Sequence, residues 1–155
     1  MSGRLTRLTV RAMDRAAKLV LRPPKQPPHL VTGRRGEEEA YFYLRRMGYV
    51  IVARNYRSHR RQGEIDLVGW DGEVLCFIEV KTRTTREVKP AEAAVDPAKQ
   101  RDLRAMAREY LRRHPMPGAE RAAGTPASRF DILSIYLLDG LNPEFSLFKN
   151  AFPIS

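Results

Sequence analysis

The stretch EIDLVGWDGEVLCFIEVKT, residues 64–82, decides how this chain folds. Two runs rich in apolar residues, 64–70 and 73–82, flank the dipeptide Asp71-Gly72. Asp-Gly between such runs is a strong hairpin signal. With Asp71-Gly72 as a two-residue turn, Trp70 pairs with Glu73 and Asp66 with Phe77. Side chains alternate along a strand, and paired residues share a face. One face then carries Asp66, Phe77, Glu79 and Lys81. The other carries Ile65, Leu67, Val74, Cys76, Ile78 and Val80, is wholly apolar, and is expected to face the core. Glu79 becomes the diagonal neighbour of Asp66, at about 7–8 Å between backbones.

Outward from the hairpin, residues 49–57 (YVIVARNYR) read as a third strand. They follow a helix over residues 33–48 (GRRGEEEAYFYLRRMG), with Arg45 and Arg46 in its last turn and Gly48 as its stop. Downstream, Pro90 and Pro97 bracket a short helical turn, and residues 97–113 form a long helix with Leu103, Met106, Tyr110 and Leu111 on its apolar side. Residues 114–127, rich in Pro, Gly and Ala, read as a loop. A strand follows over 128–138 (SRFDILSIYLL), and 144–149 adds an edge strand after Asp139-Gly140. The order α-β-β-β-α-β implies an α/β fold with a central mixed β-sheet flanked by helices.

Residues 1–30 differ from the rest. Leu5, Leu8, Ala12, Ala16, Leu19 and Val20 recur at helical spacing, with Arg4, Arg7, Arg11, Arg15, Lys18 and Arg22 on the other surface. This is a basic amphipathic helix, followed by the stiff linker PPKQPP at 23–28. The expected organisation is an extension over 1–30 and a domain over 31–155. The extension is read as a nucleic-acid-binding arm, a membrane-surface helix or a solvated tail.

The 155 residues carry a net charge of +10, a pI of about 10.2 and 43% hydrophobic residues. That suffices for one core and favours a polyanionic partner, nucleic acid first and an acidic membrane surface second. Cys76 is the lone cysteine, so no intrachain disulfide forms and the reducing cytoplasm is the expected compartment. His29, His59 and His114 are scattered, which argues against a structural zinc site. No apolar run approaches the roughly 18 residues of a membrane span, and no secretory signal is evident.

The polar face of the hairpin suggests chemistry. Mg²⁺ and Mn²⁺ prefer carboxylate, carbonyl and water oxygens. Asp66 and Glu79, with the carbonyl of Val80, would leave positions open for water and a phosphate oxygen. Such an ion neutralises phosphodiester charge and lowers the pKa of bound water. Lys81, two residues beyond Glu79, points to the same side, where its ammonium can orient the attacking water or stabilise the anionic transition state. The competing reading is a surface Glu–Lys pair with Asp66 an unrelated solvated charge. On the helical wheel of 33–48, Glu37 lies among Ala40, Tyr41 and Leu44. It is either a further metal or water ligand or a first-turn carboxylate capping its own helix. Lys99 reads as a phosphate contact or a snorkelling lysine. Arg129 reads as a phosphate contact or the salt-bridge partner of Asp131. Arg57, Arg60 and Arg61, with His59, form a basic loop suited to nucleic-acid backbone or simply a solvated turn.

GRRGEEEA, the RNYR strand end, GEIDLV, FIEVKTR, the Lys99 helix and RFDIL together resemble the YraN-like family of small bacterial proteins. The resemblance covers roughly residues 33 to 150. It implies a restriction-endonuclease-like, or PD-(D/E)XK, fold similar in layout to archaeal Holliday junction resolvases. It also implies that Asp66, Glu79 and Lys81 form the D…ExK signature and that Glu37 is the family's N-terminal helix glutamate. Ile65, not proline, precedes Asp66. The implied function is a Mg²⁺- or Mn²⁺-dependent endonuclease acting on DNA, including branched or damaged DNA, with a homodimer by analogy with resolvases. The alternatives are a non-catalytic nucleic-acid-binding protein that keeps the fold, and a membrane-peripheral or assembly factor acting through residues 1–22.

Overall fold

The computed structural model describes residues 27–58, 63–86, 95–114 and 125–154. The expected helix over 1–22, most of the linker and the expected turn between Pro90 and Pro97 lie outside them. The elements are α1 (Pro28–Arg46), β1 (Val50–Tyr56), β2 (Ile65–Asp71), β3 (Val74–Arg83), α2 (Pro97–Arg113), β4 (Ser128–Tyr136) and β5 (Glu144–Phe152). The strands form one mixed sheet in the order β1-β2-β3-β4-β5. Neighbours are antiparallel except β3 and β4, which are parallel and joined through α2. Among the described residues this is the expected α/β architecture, a five-stranded sheet flanked by two helices, consistent with a restriction-endonuclease-like fold.

Helix α1 starts at Pro28, five residues before the expected Gly33. Proline suits a first helical turn because that turn's N–H groups have no intrahelical acceptor. The helix ends where expected. Gly48 adopts φ +91°, its N–H donates to the Arg45 carbonyl, and the Tyr49 N–H donates to the Leu44 carbonyl. This pair of bonds is a Schellman cap, which needs a residue free to adopt the left-handed conformation. Helix α2 matches its expected span. Asp96 caps it by accepting the Ala98 and Lys99 N–H groups at 2.8 and 2.9 Å, and Pro97 follows at the first helical position.

Two expectations about the hairpin need correction. The loop is Gly72-Glu73, enclosed by Asp71↔Val74, and Trp70 pairs with Leu75 rather than Glu73. Gly72 has φ +60°, the left-handed conformation that a tight turn asks of its first loop residue and that aspartate adopts less readily. Val68, not Asp66, now pairs with Phe77. The slip is two residues, so the paired side chains from Leu67 to Ile78 keep their faces.

The second correction concerns the core, because the sheet buries both faces. Under α1 lie Leu67, Cys76, Ile78 and Val80 with Ala40, Leu44, Leu133 and Ile135. Under α2 lie Val68, Leu75 and Phe77 with Leu103, Met106, Tyr110, Phe130 and Ile132. Ile65 belongs to this second cluster, away from Leu67. A parallel pair crossed by a helix is covered on both sides, so the face that carries Asp66 and Glu79 is a core face along most of its length.

Candidate active site

The β2–β3 ladder ends at Leu67↔Ile78, and the next residues on the two strands are Asp66 and Glu79. They are close enough for the charge of Glu79 to act on Asp66. The Val80 N–H, beyond the last paired residue, donates to Asp66 Oδ2 at 2.7 Å. The side chain of Asp66 thus takes over from the ladder and is aimed by it. Burial first, then the charge of Glu79, push the Asp66 carboxyl up to about 7, against the Val80 N–H and Lys99, which lower it. Glu37 adds a smaller upward push.

Glu79 is 4% exposed. Its Oε1 accepts from Lys81 Nζ at 2.7 Å and also from Lys99 Nζ. Its Oε2 is buried with no hydrogen-bond partner among the described residues. Lys81 comes from β3 itself, and Lys99 from the first turn of α2. Burial works against the Lys99 charge, but the hydrogen bond and charge of Glu79, with Asp66 behind it, raise its pKa. Lys99 and Asp66 line a cleft of about 450 Å³ together with Gly63, Glu64, Asp96, Asp102 and Met106.

Glu37 is half-buried and accepts from Asn55 Nδ2 at 3.2 Å. Its helix comes close to β3 because Gly36 has no side chain. A Cβ there would sit 1.8 Å from Thr82 Oγ1. Asn55 was not foreseen. It stands one residue before the end of β1 at φ +49°, a conformation asparagine tolerates better than most residues. Asp96 and Asp102 were not foreseen either; Asp96 before a proline is a helix-start signal, and its carboxylate is used as a cap.

Not every expected residue reaches the site. The Arg129 guanidinium binds Asp131, Asp71 and the Tyr49 hydroxyl near the hairpin tip. Cys76, its pairing partner on β3, lies three residues from Glu79 toward that tip, so Arg129 belongs to an ion-pair network and not to the Asp66–Glu79 site. Arg57 is exposed and pairs with Glu64 at 2.9 Å. Arg60 and Arg61 lie outside the described residues. The backbone of Val80 contributes its N–H to Asp66, whereas its carbonyl was the group expected to act.

Among the described residues, no group of three Asp, Glu, His or Cys side chains is placed to hold a metal ion. Two neighbouring carboxylates, one with a buried oxygen unpartnered among the described residues, nevertheless fit Mg²⁺ or Mn²⁺. Mg²⁺ is commonly held by one or two carboxylates, with water and substrate phosphate completing its shell. Among the described residues, no helix is long and apolar enough to cross a membrane.

A model of a family described as uncharacterised protein family UPF0102 matches residues 36–135. A UPF0102 protein of Koribacter versatilis is 52% identical over 150 residues, covering 97% of this chain and 96% of its own length. A UPF0102 protein of Solibacter usitatus is 43% identical over 145 residues, covering 94% of this chain and 98% of its own length. One from Geobacter sulfurreducens is 38% identical over 125 residues, 81% of this chain and 91% of its own length. The two longer matches take in most of residues 1–30, beyond the expected limit of the resemblance at about residue 33.

Proposed function

This chain belongs to the UPF0102 family, the YraN-like group its motifs resemble, and for this member we propose a metal-dependent nuclease that hydrolyses phosphodiester bonds of DNA. The observation that carries the reading is the closeness of Asp66 to Glu79 just past the last β2–β3 pair, with Glu79 Oε2 buried and unpartnered among the described residues and two lysines on Oε1. Burying two neighbouring carboxylates is costly unless a cation lies between or beside them. Asp66 and Glu79 would hold Mg²⁺ or Mn²⁺, which supplies charge neutralisation of the phosphate and an acidified water. Lys81, held in strand β3, keeps an ammonium beside the reacting phosphate and orients the nucleophilic water. Glu37, steadied by Asn55, adds negative charge behind Asp66. Leu103 and Met106 of α2 wall the cleft.

The test is a cleavage panel over linear, nicked, single-stranded and four-way-junction DNA with Mg²⁺, Mn²⁺ or EDTA. Cleavage that needs metal and disappears in a folded Glu79→Ala variant supports the reading. No cleavage of any substrate at any metal concentration sinks it. A second reading, a nucleic-acid-binding protein without catalysis, draws on the two lysines that neutralise Glu79 without any metal. DNA binding that persists in EDTA, with no cleavage, supports that reading.

A further inference from the structure

Two ammonium groups share one oxygen of Glu79, but they are not equivalent. Lys81 lies on the same strand as Glu79, its backbone is paired with Ser134 of β4, and its side chain is 24% exposed. Lys99 reaches in from α2 and its side chain is 40% exposed. It also lines the open cleft beside Asp66. Lys99 is therefore the more exposed of the two and has a cleft beside it into which its flexible four-carbon stem can swing.

An ammonium and a divalent cation compete for the same carboxylate oxygen. Each stabilises the acidic pair, and their mutual repulsion at a few ångströms in a partly buried site disfavours joint occupancy. Without metal, Glu79 is neutralised from its Oε1 side while Oε2 stays bare. Bidentate use of Glu79 by a cation requires both oxygens.

We propose that Lys99 is a built-in counter-ion of the Asp66–Glu79 pair, displaced by the divalent cation and released into the cleft where a substrate phosphate would lie. This rests on the metal-binding reading of the site and adds a device to it: metal loading and anion capture become coupled. Because coupling between two binding events is reciprocal, a phosphate that attracts Lys99 outward also tightens metal binding.

The experiment is a calorimetric titration of the full chain with Mn²⁺ in the absence of nucleic acid. It compares wild type, Lys99→Met and Lys81→Met. Removing the competitor is expected to tighten Mn²⁺ binding by about tenfold, the scale of one charge-assisted hydrogen bond. The metal-free melting temperature of Lys99→Met should fall and its Mn²⁺-induced rise should exceed that of wild type. Lys81→Met should change the affinity less. Should Lys99→Met fail to fold, Lys99→Gln, which keeps a donor but not the charge, carries the same expectation. Equal or weaker Mn²⁺ binding by the Lys99 variant overturns the proposal while leaving the metal site intact. Absence of Mn²⁺ binding by folded wild type overturns the metal reading and this proposal with it.

Discussion

Asp66 Oδ2 accepts the Val80 N–H at 2.7 Å, so the carboxylate of one strand is held by the backbone of the next. The bond lies beyond the last β2–β3 backbone pair, Leu67↔Ile78. Asp66 thus has two roles that can be separated. Asp66→Asn keeps an oxygen for Val80 and removes a charge that burial and Glu79 disfavour. Asp66→Ala removes both.

Asp66→Asn is expected to be at least as stable as wild type in EDTA, and Asp66→Ala less stable than Asp66→Asn by about 1–3 kcal/mol, the cost of an unpaired buried amide. Urea unfolding at neutral pH measures both. Equal stability of the two variants would show that the bond does not hold the strand end.

The contact of α1 with β3 depends on residue 36. Gly36→Ala brings a methyl to 1.8 Å from Thr82 Oγ1, so the helix or the strand must shift. A loss of about 1–3 kcal/mol is expected, as for other overpacked core sites. The double variant with Thr82→Gly should recover part of it. Denaturant unfolding of the two single variants and the double variant, set out as a double-mutant cycle, supplies the check.

Asn55→Gly should leave stability close to wild type, because glycine accepts φ +49° freely, while Asn55→Val should lose about 1 kcal/mol or more. Both variants lose the bond to Glu37. Thermal unfolding separates the backbone effect, seen only with valine, from the loss of the amide, common to both.

At the hairpin tip, Asp71 accepts from Arg129 at 2.5 Å and Lys149 at 2.7 Å. These hydrogen bonds hold its carboxyl down at about 2, from an ordinary value of 3.8. A depressed carboxylate contributes stability that is present above its unfolded pKa and is lost as pH falls through the folded one. The wild type should therefore lose stability relative to Asp71→Asn between about pH 4 and pH 2, with the difference constant above pH 5. Denaturant midpoints across that range test it; a difference that grows above pH 5 would contradict the assignment.

Much of this protein is legible in its residues taken in order. The span of α2 follows from Asp96-Pro97 and the apolar spacing of Leu103, Met106 and Tyr110. The end of α1 follows from Gly48, and the side shared by Asp66, Glu79 and Lys81 from alternation alone. Those properties depend on neighbours along the chain, and a two-residue slip of the hairpin left that side unchanged. The distance across the hairpin depended on whether Gly72 stood first or second in the turn, and the pairing of Asp71 with Arg129 and Lys149 accompanies the observed choice.

Other features required the assembled fold. That both faces of β3 are buried follows from α2 covering one of them and α1 the other. That Lys99 meets Glu79 while Arg129 does not follows from the register of β4 and the place where α2 begins. Alternation and helical spacing are local geometry, so the order of amino acids determines them. Which distant charge meets a buried carboxylate is settled only by packing, because burial penalises every unpaired charge and so selects among partners the chain order leaves open.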